Sequence, residues 1–545
     1  MDKNSEKKTS HDEWWAKIKA VSEANQKVQE VHKEDGEPVK SVKASHGISK
    51  SALILSIIIF LLAVIPRLYF LFVLSDPENA NLGWYGDVYH RWQIAYLSQQ
   101  IGFHHGFLTL WDFKGMDYFW GLLYPLLTIF LFTITGSIDI VSIRIMTILS
   151  SSLVIVFLFL LVKRYFNTSA ALATALFMSF MPVVLFSDTT GEQEPVGLAL
   201  IFGGMLLWKK KPLWTGILFA LASMVRAEYW MITFGLVVVA IICDKNTNRR
   251  LLIAAGWFVP IFLYMKYLLD KTGNPIYPVY YNFFASIAGE WFVKIQLSPQ
   301  VLLIKQLSQA IFIAFFLTGL FVFWKKPKYY LLFLFGIANI LFISYTLGFG
   351  EYLEGYIVRL WVDRLFIWPY SFLGMLAAIL LLYVLPKYLK LAGSIFGWVV
   401  FLCIIALTQL VWTPIKAGQQ PALAGWPTEK ELAVEISHYY HGGGILLPED
   451  HPALTYALVR YEGVEGKNMV GQMFDPYFYM QGDPYANWSK NRKIVLKWLK
   501  QENIKFIVVY SSNERYSKLF QKEPQLFTLV GKSVGSGYNF YSVNQ

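Results

Sequence analysis

Phe119-Trp120-Gly121-Leu122-Leu123-Tyr124-Pro125-Leu126-Leu127-Thr128-Ile129-Phe130-Leu131-Phe132-Thr133-Ile134-Thr135 is the stretch on which the reading of this chain turns. It is apolar enough to be taken for a membrane crossing, yet it contains Gly121 and Pro125 and is short for a bilayer-spanning helix. If it crosses, every later loop changes side. If it does not, Lys163-Arg164, Lys209-Lys210-Lys211, Lys245 with Arg249-Arg250, Lys325-Lys326 with Lys328, and Lys387 with Lys390 all fall on one side with the basic N-terminal tail. Cytoplasmic loops carry the excess of Lys and Arg, so the second arrangement is the expected one. Residues 119–135 then form a re-entrant or interface-lying helix.

The rest of the composition agrees with a membrane setting. Of 545 residues, 55% are hydrophobic, 17% aromatic and only 16% charged, and the mean hydropathy is +0.42. A soluble chain does not tolerate such a balance. The net charge of +11 sits mostly in short clusters between apolar runs, where it sets topology, so no nucleic-acid partner is expected. The two cysteines, Cys243 and Cys403, lie far apart inside apolar segments and indicate neither a disulfide framework nor a thiolate metal site.

The expected fold is mostly α: a polytopic helical membrane protein with about eleven spans plus re-entrant or juxtamembrane helices, and a small C-terminal α/β domain outside the membrane. The spans are placed near 51–74, 138–162, 168–187, 195–208, 212–225, 228–243, 251–269, 301–324, 329–347, 364–385 and 391–412. Residues 1–50 read as a disordered cytoplasmic tail, 51–412 as the transmembrane catalytic domain and 413–545 as the extracytoplasmic domain. In the last part Ile445–Pro448, Lys505–Tyr510, Leu526–Val530 and Tyr538–Val543 have strand character and Lys490–Glu502 helix character. No glycine-rich phosphate loop precedes a helix there. Arg67, near the far end of the first span, is placed to snorkel or to meet an anion.

With this parity the acids near the membrane gather on the outer side. Trp84-Tyr85-Gly86-Asp87-Val88-Tyr89-His90-Arg91-Trp92 follows the first span. A helix starting after Gly86 puts Asp87 at its N-terminus and His90 or Arg91 one turn on. Asp87 is the candidate catalytic residue, a carboxylate able to orient or deprotonate an acceptor hydroxyl; the plainer alternative is a helix-capping Asp. Ser187–Pro195 holds Asp188, Glu192 and Glu194, three acids where a cap needs one. Arg226 and Glu228 form a charged pair wedged between apolar segments, suited equally to mutual pairing and to substrate contact. Arg359 and Arg364 flank the tenth span with the geometry to grip a phosphate, and Lys114 in the first loop is a further candidate.

The order and sidedness of these motifs, with Leu221–Glu228 and Arg364-Leu-Phe-Ile-Trp-Pro369, resemble the GT-C superfamily of membrane glycosyltransferases. The likeness is greatest to the branch of protein O-mannosyltransferases and aminoarabinose transferases, with some oligosaccharyltransferase-like features. The resemblance implies an inverting glycosyltransferase, hexosyl or pentosyl, that moves a sugar from a polyprenyl-phosphate donor to a glycan, lipid or protein acceptor on the outer face of the cell membrane. It places Asp87 as the first-loop acid, Glu194 at the head of the second-loop acidic motif, and Arg359 and Arg364 at carrier phosphates. His90, Arg91, Asp188, Glu192, Arg226, Glu228 and Lys114 complete the donor and acceptor contacts. The arginine that precedes the acidic motif in oligosaccharyltransferases is Ser187 here, and no Trp-Trp-Asp-type motif occurs in the outer domain. No cofactor is assigned; a divalent cation, Mg or Mn, is an open alternative and would fall to Asp87 and Glu194. The rival from another class is a lipid or glycan transporter or flippase, since intramembrane charge also marks transport pathways.

Overall fold

The structure is a computed structural model that describes residues 50–75, 77–78, 87–101, 121–280, 367–411, 428–448, 452–472, 475–480 and 484–544. Lys114, Arg359 and Arg364, and the spans expected at 301–324 and 329–347, lie outside the described residues. By its contacts the chain divides between Leu55 and Ser56. Of the first unit only the helical residues 50–55 are described, and every residue from Ser56 onward belongs to the second.

The helical part runs α1 (Lys50–Tyr69), α2 (Asp87–Ile101), α3 (Leu123–Thr135), α4 (Ile140–Tyr165), α5 (Thr168–Phe180), α6 (Pro182–Thr189), α7 (Glu194–Leu207), α8 (Pro212–Ser223), α9 (Ala227–Cys243), α10 (Thr247–Thr272), α11 (Ile367–Ile379) and α12 (Leu385–Val411). By length and composition four stretches can cross a bilayer: Ala52–Leu74, Ile140–Tyr165, Thr247–Thr272 and Ser371–Gln409. α3, α5, α7, α8 and α9 are shorter apolar helices, so four of the eleven spans read from the sequence, those at 168–187, 195–208, 212–225 and 228–243, correspond to short pieces.

Local chemistry explains the breaks. Asp139 caps α4 by accepting from the Val141 amide at 2.9 Å, and Lys163 and Arg164 close its last turn, where cations suit the helix dipole. The run expected as one span at 168–187 is two helices, because Met181 before Pro182 is held extended (φ −62°, ψ 116°) and α6 starts with the proline in its first turn. Lys390, between the two runs expected at 364–385 and 391–412, has φ +49°, which breaks the helical path there. α8 and α10 meet backbone to backbone: a Cβ on Gly216 would stand 2.2 Å from the Ile253 carbonyl, and one on Gly256 2.4 Å from that of Leu213.

The C-terminal part contains α13 (Thr428–Tyr439), β1 (Gly444–Leu447), α14 (Pro452–Arg460), β2 (Met469–Gly471), α15 (Pro476–Tyr479), α16 (Trp488–Gln501), β3 (Ile504–Tyr510), α17 (Glu514–Lys522), β4 (Phe527–Lys532) and β5 (Tyr538–Val543). The strands form one sheet in the order β2-β1-β3-β5-β4, parallel across β2, β1 and β3 and antiparallel across β3, β5 and β4. Alternate residues of β3 and β5 face opposite sides. Phe506 and Phe540 meet Tyr440 and Tyr439 at the end of α13, whereas Ile507, Val509 and Val543 pack with Val495 and Leu499 of α16 and Leu519 and Phe520 of α17. α14 packs on α13 and also on α2, which ties the sheet to the membrane part.

Candidate active site

Three arginines from three different elements hold the acids of residues 188–194. Arg67 of α1 donates to Asp188 Oδ2 through Nε at 3.0 Å and Nη2 at 2.6 Å, and its remaining N–H groups reach the carbonyls of Ala63 and Met178. Arg91 of α2 donates to Glu192 Oε2 and has its other terminal nitrogen 3.6 Å from Asp87 Oδ2. Arg226, just before α9, donates to Glu194 Oε1 and grips Glu228 bidentately at 2.8 Å through both Nε and Nη2. Each carboxylate is buried or nearly so, and burying a charge in a membrane protein is tolerable only when it is paired. Arg67 thus supplies to Asp188 a cation that residue 187, a serine, does not; the Ser187 backbone carbonyl closes the turn by accepting from Thr190 Oγ1 at 2.8 Å.

The backbone is shaped to allow this. Gly191 has φ +91°, a conformation that L side chains rarely adopt, and a Cβ there would stand 2.7 Å from the Val88 side chain, so α2 can approach the 188–194 turn only over a glycine. Tyr124 of α3 donates to the Gly191 carbonyl and presents its ring to Arg91, 5.9 Å from centroid to guanidinium. Gly121, also at positive φ (+91°), lies against the Met224 carbonyl, which accepts from the Leu123 amide at 2.9 Å. The segment expected to be re-entrant therefore braces both the acidic turn and the approach to Arg226. On α7, Gly197 gives way to the Tyr229 ring, whose hydroxyl donates to the Glu194 carbonyl at 3.1 Å.

Asp87 is more open than the three acids of the 188–194 turn. Its side chain is 17% exposed, against 0% for Glu192, 3% for Glu194 and 4% for Asp188. His90 turns elsewhere: Nδ1–H donates to Gln93 Oε1 at 2.9 Å, and the Gln93 amide donates to Thr455 Oγ1 of α14 at 3.0 Å. Burial pulls the His90 imidazole from its ordinary 6.5 down to about 4, so it is neutral at pH 7. Sequence reading passed over two members of this region. Arg144 is fully buried, donates to the Pro77 carbonyl and lies over the Tyr89 ring; its signal was an arginine five residues into an apolar span. Tyr124 carried no signal at all.

Among the described residues no group of three or more His, Cys, Asp or Glu side chains is arranged to hold a metal ion. Glu194, one of the two candidate ligands, is engaged by Arg226.

Residues 121–267, the span from Gly121 through most of α10, match the sequence profile of the family described as dolichyl-phosphate-mannose-protein mannosyltransferase. That match bears out the resemblance to GT-C membrane glycosyltransferases. Among solved structures the chain is similar to the Archaeoglobus fulgidus oligosaccharyltransferase tethered with an acceptor peptide containing the NVT sequon, at 13% identity over 91% of this chain and 74% of that one, TM-score 0.47. It is similar to the oligosaccharyltransferase AglB of the same organism in complex with an inhibitory peptide and a dolichol-phosphate, at 12% identity over 91% and 75%, TM-score 0.48. It is also similar to ArnT from Cupriavidus metallidurans in the apo state, at 13% identity over 83% and 93%, TM-score 0.47. No curated protein matches in sequence.

Proposed function

We propose that the chain is an inverting glycosyltransferase that moves a sugar from a polyprenyl-phosphate donor to an acceptor hydroxyl on the outer face of the membrane, with Asp87 as the base. The observation that carries this reading is the difference in access among four acids. Asp188, Glu192 and Glu194 are sealed against arginines, while Asp87, at the positive end of α2, keeps one edge open and is joined to the group through Arg91. In the step proposed, the acceptor oxygen attacks the anomeric carbon and gives its proton to Asp87, and the bond from that carbon to the phosphate oxygen breaks with its electron pair leaving on the phosphate.

Arg226, bound to two carboxylates, is not a spare cation for that phosphate. Its part is to hold Glu194 and Glu228 in place, and the charge on the leaving group falls in this reading to Arg359, Arg364 and Lys114. The N-terminus is taken as cytoplasmic and residues 413–545 as extracytoplasmic. The test is Asp87→Asn in purified protein given a lipid-linked sugar and scored by mass spectrometry. Transfer should drop by at least about 10²-fold while retention of the lipid-linked donor is unchanged, the scale expected for loss of a general base. Turnover that persists in the variant, or donor lipid that moves between leaflets with no sugar transferred, would overturn the proposal, the second in favour of a flippase.

A further inference from the structure

On α16, Lys490, Lys493, Lys497 and Lys500 stand at positions i, i+3, i+7 and i+10 and therefore share one helix face over about 15 Å of rise. All four are exposed. α16 contains no Asp or Glu, and among the described residues none of the four lysines forms an ion pair; the fifth cation, Arg492, is engaged with Glu523. Like charges at these spacings repel, and Lys490 lies in the first turn, at the positive end of the helix dipole. Folding gains nothing from this arrangement. α13, by contrast, follows the dipole with Glu429 and Glu431 in its first turn.

The surroundings sharpen the contrast. Residues 484–545 carry ten Lys and Arg against only Glu502, Glu514 and Glu523, so nearby acids do not offset the strip. The apolar side of α16, through Val495 and Leu499, is consumed in the core beside β3, and Ile494 is the one large apolar side chain of the helix left exposed, too little to form a face that inserts into lipid. α16 also covers the sheet face opposite to the one on which Tyr439 of α13 and Tyr440 just after it rest, and it is α13's neighbour α14 that docks on α2. The lysines thus sit on the side of the sheet turned away from the helix bearing Asp87.

We propose that this strip binds a linear polyanionic glycan, one bearing phosphodiester or uronate groups at intervals, and that this polymer is the acceptor or carries it. The inference rests on the reading of the chain as a glycosyltransferase whose C-terminal sheet lies outside the membrane, and it names the acceptor class. Lysines act as point charges and read spacing and sign more than planar shape, so phosphate and carboxylate polymers both qualify.

The test uses the full chain in detergent, with inorganic polyphosphate and polygalacturonate as probes and binding followed by fluorescence anisotropy at several salt concentrations. Wild type should bind at least one probe in a salt-dependent way. The fourfold variant K490Q/K493Q/K497Q/K500Q should bind roughly tenfold more weakly or worse, with a shallower salt slope, while the fourfold Lys→Arg variant retains binding and K209Q/K210Q/K211Q is unaffected. Equal binding by wild type and the glutamine variant, equal loss in the 209–211 variant, or full competition by vesicles of anionic phospholipid overturns the proposal. Binding is read without any turnover, so its failure leaves the role of Asp87 standing, and inactivity of Asp87→Asn leaves the strip standing.

Discussion

Arg91 shows how much one buried side chain can be asked to do. It is 1% exposed, neutralises Glu192 and holds Asp87 at 3.6 Å. Arg91→Met would leave Glu192 as an uncompensated buried charge, so we expect a loss of about 3–5 kcal/mol, seen as a large fall in thermal unfolding temperature in detergent, with partial recovery in Arg91→Met/Glu192→Gln. Equal melting of the single and double variants would show that the pair is not what stabilises this turn. His90 predicts a pH effect with a definite sign. Its folded pKa of about 4 lies below the unfolded 6.5, so its contribution is fully present above pH 6.5 and is lost as pH falls toward 4, a change of roughly 3 kcal/mol. His90→Gln should flatten the melting profile over that window; a profile unchanged by the substitution would count against it.

At the scale of elements, α2 is held from above by α14. Tyr456 is fully buried, meets the rings of Tyr89 and Trp92 edge to face at 5.3 and 4.9 Å, and its hydroxyl accepts from the Ile140 amide at 3.4 Å and donates to Asp139 at 3.3 Å. Tyr96 meets the Gly466 amide in the same interface. Tyr456→Ala should therefore reduce kcat for transfer and lower stability by about 3–5 kcal/mol, whereas Tyr456→Phe, which keeps the rings, should cost about 1 kcal/mol and leave most of the rate. Activity that survives Tyr456→Ala at full rate would mean that α2 needs no such support. This contact could not be read from the chain, since hydrophobic periodicity marks a face as buried but never names what buries it. Where a local rule governs, the chain was legible: β1, β3, β4, β5 and α16 lie within two residues of their expected places, though the three-residue β2 was not read, and of the two roles open to Arg67 it meets an anion. The misreading of 168–187 as one helix came from weighing apolar content above Pro182.

Across the whole molecule two buried groups push stability in opposite directions with pH. Asp475, beside the Tyr516 hydroxyl and the Tyr477 amide, is raised by burial to about 6, so its contribution is fully present below the unfolded carboxylate value near 4 and is lost as pH rises through 6. Asp475→Asn should remove that decline, of roughly 3 kcal/mol, from the unfolding profile of the C-terminal part, and the decline should persist in His90→Gln. If Asp475→Asn and wild type lose stability equally between pH 4.5 and 7.5, the assignment fails. The pairing of arginines with acids was likewise only half visible: Arg226 with Glu228 was one of two readings of adjacent charges, but a sequence with no distances cannot say that Arg226 also takes Glu194 while Arg91 takes Glu192.

The bond from Gln93 to Thr455 joins residues 362 positions apart. A ribosome delivers the Asp87 helix long before it delivers the clasp that secures it. A nascent or truncated chain ending before residue 452 would already have its acids, its arginines and its place in the bilayer, yet lack this fastening. Biogenesis of the protein thereby carries its own delay, with the helix that bears Asp87 fastened only after residue 455 has been made.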